Sequence, residues 1–203
     1  MKCANCGCEF PEGSFCPQCG NEVALGGGAF ARTDYSMKWY KFIKFALCLS
    51  AVLNAIDALT FFTGAMYEGI ADKLYALLPS LSYVNIFAGV FYLGMAAFNI
   101  VTFDALKKYK ENGPKFLVLV YALNILFSIV YFVLVSRVIG SSSTQVIYGD
   151  TFIMNGNEYQ PYLDLKSYSS GLGRTTVSNT IVSIAMAIVN FKYFKTREDL
   201  FIF

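Results

Sequence analysis

The strongest constraint on this chain is a pair of long runs that carry no charge. From Leu74 to Phe103, and again from Phe116 to Ser136, there is no Asp, Glu, Lys or Arg. A bilayer core about 30 Å thick is crossed by roughly 20 apolar residues at helical rise, and each run is long enough. Composition agrees. Of 203 residues, 56% are hydrophobic, 17% aromatic and only 15% charged, against about 25% charged in an average soluble domain. The net charge of +2 says less than the distribution of the charges.

The expected fold class is mainly α and integral to a membrane, with about four transmembrane helices. The first runs from about Phe42 to Thr63, with Asn54 and Asp57 inside it. The second begins near Pro79, a good first-turn residue because its missing N–H is unneeded there, and runs to about Phe103. Its helix is expected to continue through Lys107 and Lys108 until Asn112-Gly113-Pro114 stops it. The third covers roughly Lys115–Val138 and ends at Gly140. The fourth, about Thr176–Phe194, is the shortest, uncharged only from Thr175 to Phe191. Residues 39-138 therefore hold helices 1 to 3, residues 176-195 hold helix 4, and residues 196-203 form a tail. Lys38-Trp39-Tyr40-Lys41-Phe42-Ile43-Lys44 mixes rings with lysines, the composition of a membrane interface.

Between helices 3 and 4, residues 139-175 read as a polar loop. Gln145-Val146-Ile147-Tyr148 and Thr151-Phe152-Ile153-Met154 flank Gly149-Asp150, which suits a two-residue hairpin turn. Asn155-Gly156 offers a second turn before Glu158-Tyr159-Gln160. The expectation is a small β-meander, too short to stand alone and so resting on the membrane domain.

Residues 1-24 are of another kind. Five of the six cysteines lie in the first 20 residues. Cys3-Ala4-Asn5-Cys6-Gly7 and Cys16-Pro17-Gln18-Cys19-Gly20 are two copies of C-x-x-C-G. Two thiolates two residues apart share one tight turn and reach one metal at about 2.3 Å. The following glycine takes positive φ without steric cost. Two such knuckles give a closed tetrahedral site, so Cys3, Cys6, Cys16 and Cys19 are the expected ligands of one structural Zn²⁺ in a minimal zinc ribbon. A disulfide pairing and a rubredoxin-like iron site use the same residues and stand as alternatives. Cys8 falls opposite Asn21 in the repeat, outside the ligand set. Cys48, in an apolar helix, reads as a small buried hydrophobe. No cleavable signal is expected ahead of the cysteines, since the first apolar run begins only near Phe42. Residues 25-38, beginning Leu25-Gly26-Gly27-Gly28-Ala29, read as a flexible linker.

The doubled C-x-x-C-G, with Lys38-Trp39-Tyr40-Lys41-Phe42 and Lys110-Glu111-Asn112-Gly113-Pro114-Lys115 behind it, resembles bacterial membrane proteins that carry an N-terminal zinc ribbon. The resemblance implies a zinc ion and a bacterial cell membrane; it brings no activity with it.

Orientation follows from basic residues near the span ends, which are retained in the cytoplasm. With the N-terminus inside, the cytoplasmic side holds Arg32, Lys38, Lys41, Lys44, Lys107, Lys108, Lys110, Lys115, Lys192, Lys195 and Arg197. The outer side holds Lys73, Arg137, Lys166 and Arg174. Both termini are therefore expected in the cytoplasm, with residues 139-175 outside. A reducing cytoplasm also favours metal over disulfides.

No catalytic constellation is present. Histidine is absent, which removes the usual general base and nitrogen ligand, and the chain is expected not to be an enzyme. Asp104 is read as an ion-pair partner of Lys107 and Lys108 at i+3 and i+4. Nucleic acid is an unsuitable partner. Residues 1–30 hold one Lys and three Glu, and four thiolates on a divalent metal add negative charge where phosphates need a basic surface.

Asp57 is the other candidate site. An ionisable group inside a span costs at least about 2.5–3.5 kcal/mol on insertion scales and marks a functional position by default; no basic residue lies in the interior of a span to pair with it, those within the bounds standing at the span ends. It is either a cation or proton site, or an uncharged carboxyl hydrogen-bonded to a neighbouring helix. Each span also holds asparagine, and Asn179, Ser183 and Ala187 form a small polar face expected to pack helices together. Two functions follow as expectations. One is a membrane-anchored adaptor or sensor whose cytoplasmic ribbon binds a protein partner. The other is a small transporter or channel subunit, oligomeric, with its polar site at Asp57.

Overall fold

A computed structural model describes residues 8–9, 18–20, 37–67, 69–154, 157–197 and 200–201. The chain forms two units, Met1–Met37 and Lys38–Phe203. The second contains helix α1 (Lys38–Thr63), a 3-10 turn at Ala65–Tyr67, a short α2 (Ala71–Leu77), α3 (Pro79–Lys107) and α4 (Asn112–Gly140). Strands β1 (Val146–Tyr148), β2 (Phe152–Met154), β3 (Asn157–Tyr159) and β4 (Tyr162–Asp164) follow, then α5 (Leu165–Lys195).

Helices α1, α3, α4 and α5 are long and apolar enough to cross a membrane. At 1.5 Å per residue they span about 39–47 Å, more than a hydrocarbon core, so their ends reach the headgroup layers. Each is apolar around most of its circumference. Phe45, Leu59, Val90, Ile100, Leu126 and Val177 all point away from the bundle, the surface a helix presents to lipid and a soluble helix avoids. The inward stripe of α1 is Tyr40, Ile43, Leu47, Ala51 and Ala58, and α3 answers with Ala88, Ala96 and Ala105. Small side chains let the backbones approach, which is how helices gain packing energy where burial from water contributes nothing. Helix α1 packs on α3, α3 on α4, and α4 on α5; α5 does not return to pack along α1. Cys48 lies exposed on α1, facing away from the bundle instead of buried as expected.

One end of the bundle, where α1 and α4 begin and α3 and α5 finish, is the basic end. There α3 stops at Lys107 and does not run on to Asn112. The stop is a Schellman turn: Lys110 N–H donates to Ala105 O and Tyr109 N–H to Leu106 O, both at 2.9 Å. Tyr109 takes the left-handed position at φ 53°, where a non-glycine costs roughly 1–2 kcal/mol. Its ring stacks on Tyr40 at 5.5 Å and lies 5.6 Å from Phe201, which offsets that cost. Asn112, Gly113 and Pro114 open α4. Asp104 pairs with Lys108 at 2.7 Å, the i+4 partner of the two expected.

At the opposite, loop end, the three expected strands form, a fourth that was not expected joins them, and β1 pairs differently while β2 and β3 pair as a meander requires. β1 pairs antiparallel with β4, Ile147 opposite Leu163, and β2 pairs with β3, Ile153 opposite Glu158. Gly149-Asp150 is therefore not a hairpin turn. A two-residue turn of that kind needs positive φ at its first position, and neither residue has it. Gly149 N–H instead donates to Pro161 O at 2.7 Å, and a Cβ there would lie 2.6 Å from Pro161 Cγ. The glycine permits a close approach, and the expected hairpin between residues 145–148 and 151–154 is replaced by a nested arrangement closed by β4.

Helix α5 begins at Leu165, about three turns before the expected start at Thr176. Its first turns, Lys166-Ser167-Tyr168-Ser169-Ser170-Gly171, are too polar for a span and read as loop. Asp164 is what starts the helix. Its side chain accepts from the N–H groups of Lys166 (2.9 Å) and Ser167 (3.3 Å) and from the Ser167 hydroxyl (2.9 Å). The Ser167 hydroxyl and N–H hold its carboxyl below the ordinary value of 3.8. A depressed carboxyl contributes stability above pH 3.8 that is lost as pH falls through the lower, folded-state value. Asp164→Ala is thus expected to lower the melting temperature at about pH 6, with the gap to wild type closing well below 3.8. A gap that persists in acid would show that the carboxylate's charge is not what caps the helix.

Candidate functional site

The polar chemistry of the second unit collects in two places. At the loop end, Asn85 on α3 is 1% exposed. Its Nδ2 donates to the Tyr67 hydroxyl at 3.0 Å and the Tyr75 hydroxyl at 2.9 Å, and Tyr131 on α4 donates to its Oδ1 at 3.1 Å. Asn85 thereby ties the 3-10 turn, α2, α3 and α4 together. Burial pushes the Tyr67 and Tyr75 hydroxyls above the ordinary phenol range, so both stay protonated. Beneath them Leu74, Leu81, Phe127, Val135, Ile147 and Leu165 form one apolar core. Beside it a cleft of about 440 Å³ is lined by Met66, Tyr67, Ile70, Gln160, Pro161, Tyr162 and Leu163. Tyr148, Ile153 and Tyr162 stand exposed on the strands. Sequence reasoning identified Asn85 as polar within a span but missed its tyrosines, because they come from three separate segments.

The second place lies within the spans, between α1 and α5. A groove of about 170 Å³ is lined by Phe42, Ile43, Ala46, Leu47, Ser50 and Asn54 of α1 and by Asn99 of α3. Leu117, Val120, Tyr121 and Asn124 of α4, with Ser183 and Met186 of α5, complete it. Its basic end is closed by side chains: Trp39 Nε1 donates to Asn190 Oδ1 at 2.9 Å, and Asn190 Nδ2 to the Tyr121 hydroxyl at 3.0 Å. Asn124 donates one of its two amide hydrogens to Val120 O at 3.0 Å. Asn99 is 1% exposed, and its Oδ1 has no hydrogen-bond partner among the described residues. Of the small polar face expected on α5, Ser183 and Ala187 are half-buried and Asn179 is exposed.

Asp57 sits half-buried on α1, near Tyr92 of α3, and lines neither cavity. Among the described residues no side chain donates to its carboxyl. The Thr60 hydroxyl binds the Asp57 backbone carbonyl instead, at 2.8 Å.

Of the expected metal ligands, Cys3, Cys6 and Cys16 lie outside the described residues. Cys19 is exposed in a turn, and Gly20 after it takes φ 72°, the left-handed conformation expected of a C-x-x-C-G knuckle. The Cys8 thiol donates to Glu9 O at 3.6 Å. Comparison with known protein families, curated proteins and solved structures finds no match to this chain, and its chemistry is read from its own residues.

Proposed function

We propose that this protein is a non-enzymatic, membrane-anchored adaptor or sensor. Its ribbon, holding Zn²⁺ through Cys3, Cys6, Cys16 and Cys19, is a cytoplasmic interaction module, and its loop end is an extracytoplasmic recognition surface. The observation that carries this reading is the exposed aromatic face of Tyr148 and Tyr162 beside the 440 Å³ cleft. It rests on a core that includes residues from α3, α4 and α5, so an occupant there bears directly on the helices. A photocrosslinking residue at Gln18, exposed in the ribbon, tests the reading in cells. A discrete crosslinked species lost in Cys16→Ser or Cys19→Ser supports it; a crosslink pattern indifferent to those changes sinks it.

Two further outcomes belong to this reading. Purified Cys8→Ser should retain one zinc per chain by elemental analysis, since Cys8 falls outside the repeated ligand set; zinc well below one equivalent would mean a different ligand quartet. With native cysteines controlled for, an impermeant maleimide applied outside cells should modify a cysteine placed at Ser142 and spare one at Asn112. The reverse pattern would invert the topology.

A second reading, a small transporter or channel subunit, is favoured by the Asp57 carboxyl, which lacks a donor among the described residues. Ion flux in liposomes that vanishes in Asp57→Asn would support it over the adaptor.

A further inference from the structure

The groove between α1 and α5 holds an incomplete hydrogen-bond inventory. Ser50, Asn54, Asn99, Tyr121, Asn124 and Ser183 converge on it from all four long helices. Asn99 Oδ1 is buried and has no partner among the described residues, a condition that costs about as much as a lost hydrogen bond in an apolar setting. Asn124, one amide hydrogen engaged by Val120 O, keeps its carbonyl oxygen available. Tyr121 accepts from Asn190 and retains a proton to give.

The position of the groove limits what can enter. At helical rise, Asn99 lies about 12 Å from the Lys107 end of α3 and Ser183 about 18 Å from the Lys195 end of α5, within bilayer depth. The Trp39–Asn190–Tyr121 bridge closes the basic end, and α5 does not pack along α1, so the way in is sideways from lipid. No charged side chain lines the groove. An ion there would be desolvated without a countercharge, which is expensive. A hydroxyl group donates to the orphaned carbonyl oxygen and accepts from Tyr121 or a serine, and the volume far exceeds what one water needs.

We infer that this groove is a binding site for a neutral, hydroxyl-bearing amphiphile that enters from the bilayer between α1 and α5. Asn99 Oδ1 is the acceptor for its hydroxyl, and the apolar wall takes the chain behind it. The site is independent of the ribbon, of the loop-end surface and of Asp57.

The test uses the full chain in phosphatidylcholine nanodiscs and octanol carrying a photoactivatable diazirine at its third carbon. Labelled peptides mapped by mass spectrometry should include groove residues, saturably, with Leu126 on the outer face of α4 as the lipid-facing control. Excess octanol should suppress the groove label and octane should not. Asn99→Leu should weaken apparent affinity about fivefold, the equivalent of one net neutral hydrogen bond. If that variant fails to fold, Ser183→Phe, which fills the groove from α5, should abolish the groove label and leave Leu126 labelled. Suppression by octane as strong as by octanol, labelling equal at groove and control, or an unlabelled groove in a dimeric chain would each overturn the assignment. An affinity unchanged in folded Asn99→Leu would do the same.

Discussion

Asn85→Leu is expected to destabilise the helical unit by about 2–3 kcal/mol, because buried hydroxyls left without a partner cost about 1–3 kcal/mol each and Tyr168 of α5, its ring 5.9 Å from that of Tyr67, recovers part of the loss. The substitution keeps the branching of the side chain and removes three bonds at once: two donated to Tyr67 and Tyr75, and one accepted from Tyr131. Interhelical hydrogen bonds inside a bilayer average only about 0.6 kcal/mol, since the separated helices find other partners. Asn85 exceeds that figure because the substitution leaves hydroxyls unpaired inside the folded core, whereas Tyr67 and Tyr75, on segments outside the spans, regain water as a partner when displaced. Tyr75→Phe, at the more open edge of the network, should cost under about 1 kcal/mol. Unfolding measured in bicelles distinguishes the two. An Asn85→Leu variant as stable as wild type would mean that water or lipid already supplies the tyrosines.

Leu74→Ala is expected to cost about 3 kcal/mol, within the range for truncating a fully buried leucine, while Leu126→Ala costs close to nothing. Leu74 is 0% exposed and sits on α2 in the loop-end core, whereas Leu126 is 60% exposed on α4. The contrast comes from the solvent on each side of the transition. Displacing α2 exposes Leu74 to water and loses its hydrophobic burial. Leu126 faces lipid before and after any separation of the helices, so truncation leaves no cavity and forfeits no transfer energy. Equal losses at the two positions would show that α2 is not a water-side cap. Comparable losses only at Leu126 would reverse the assignment of which surface meets lipid.

How much of this was legible depended on whether a property is local. Two of the four long helices follow from long charge-free runs and the other two from shorter apolar stretches, and Pro79 opens α3 as its chemistry requires. The start of α5 did not follow. Lys166-Ser167-Tyr168-Ser169-Ser170-Gly171 is as polar as any loop, and only the Asp164 cap and the burial of Leu165 in the loop-end core make it helical. Three strands were anticipated and β2 pairs with β3 as a meander requires, but β4 was not anticipated and takes the place of β2 beside β1. Pairing turned on Gly149 approaching Pro161, a residue beyond both expected strands. Asp57 was recognisable because it had no basic neighbour within a span, and it has no donor among the described residues. The asparagines were recognisable one at a time. That Asn85 joins three tyrosines, that Asn190 bridges Trp39 to Tyr121, and that Asn99 is left without a partner were not.

What the sequence determined by itself is the number of spanning helices and their composition. In lipid each segment must satisfy its own backbone hydrogen bonds and present apolar side chains to the hydrocarbon, and both demands are met within about 20 consecutive residues. The same locality makes the doubled C-x-x-C-G readable, since two thiolates on one turn need no distant partner. Tertiary structure decided which polar groups meet. The convergence of Asn54, Asn99, Asn124 and Ser183 on one groove depends on the rotation and axial offset of four helices, and no window of sequence encodes those. They are set by the alanine-lined approach of α1 to α3, by the successive packing of α4 and α5, and by the gap that remains where α5 does not close against α1.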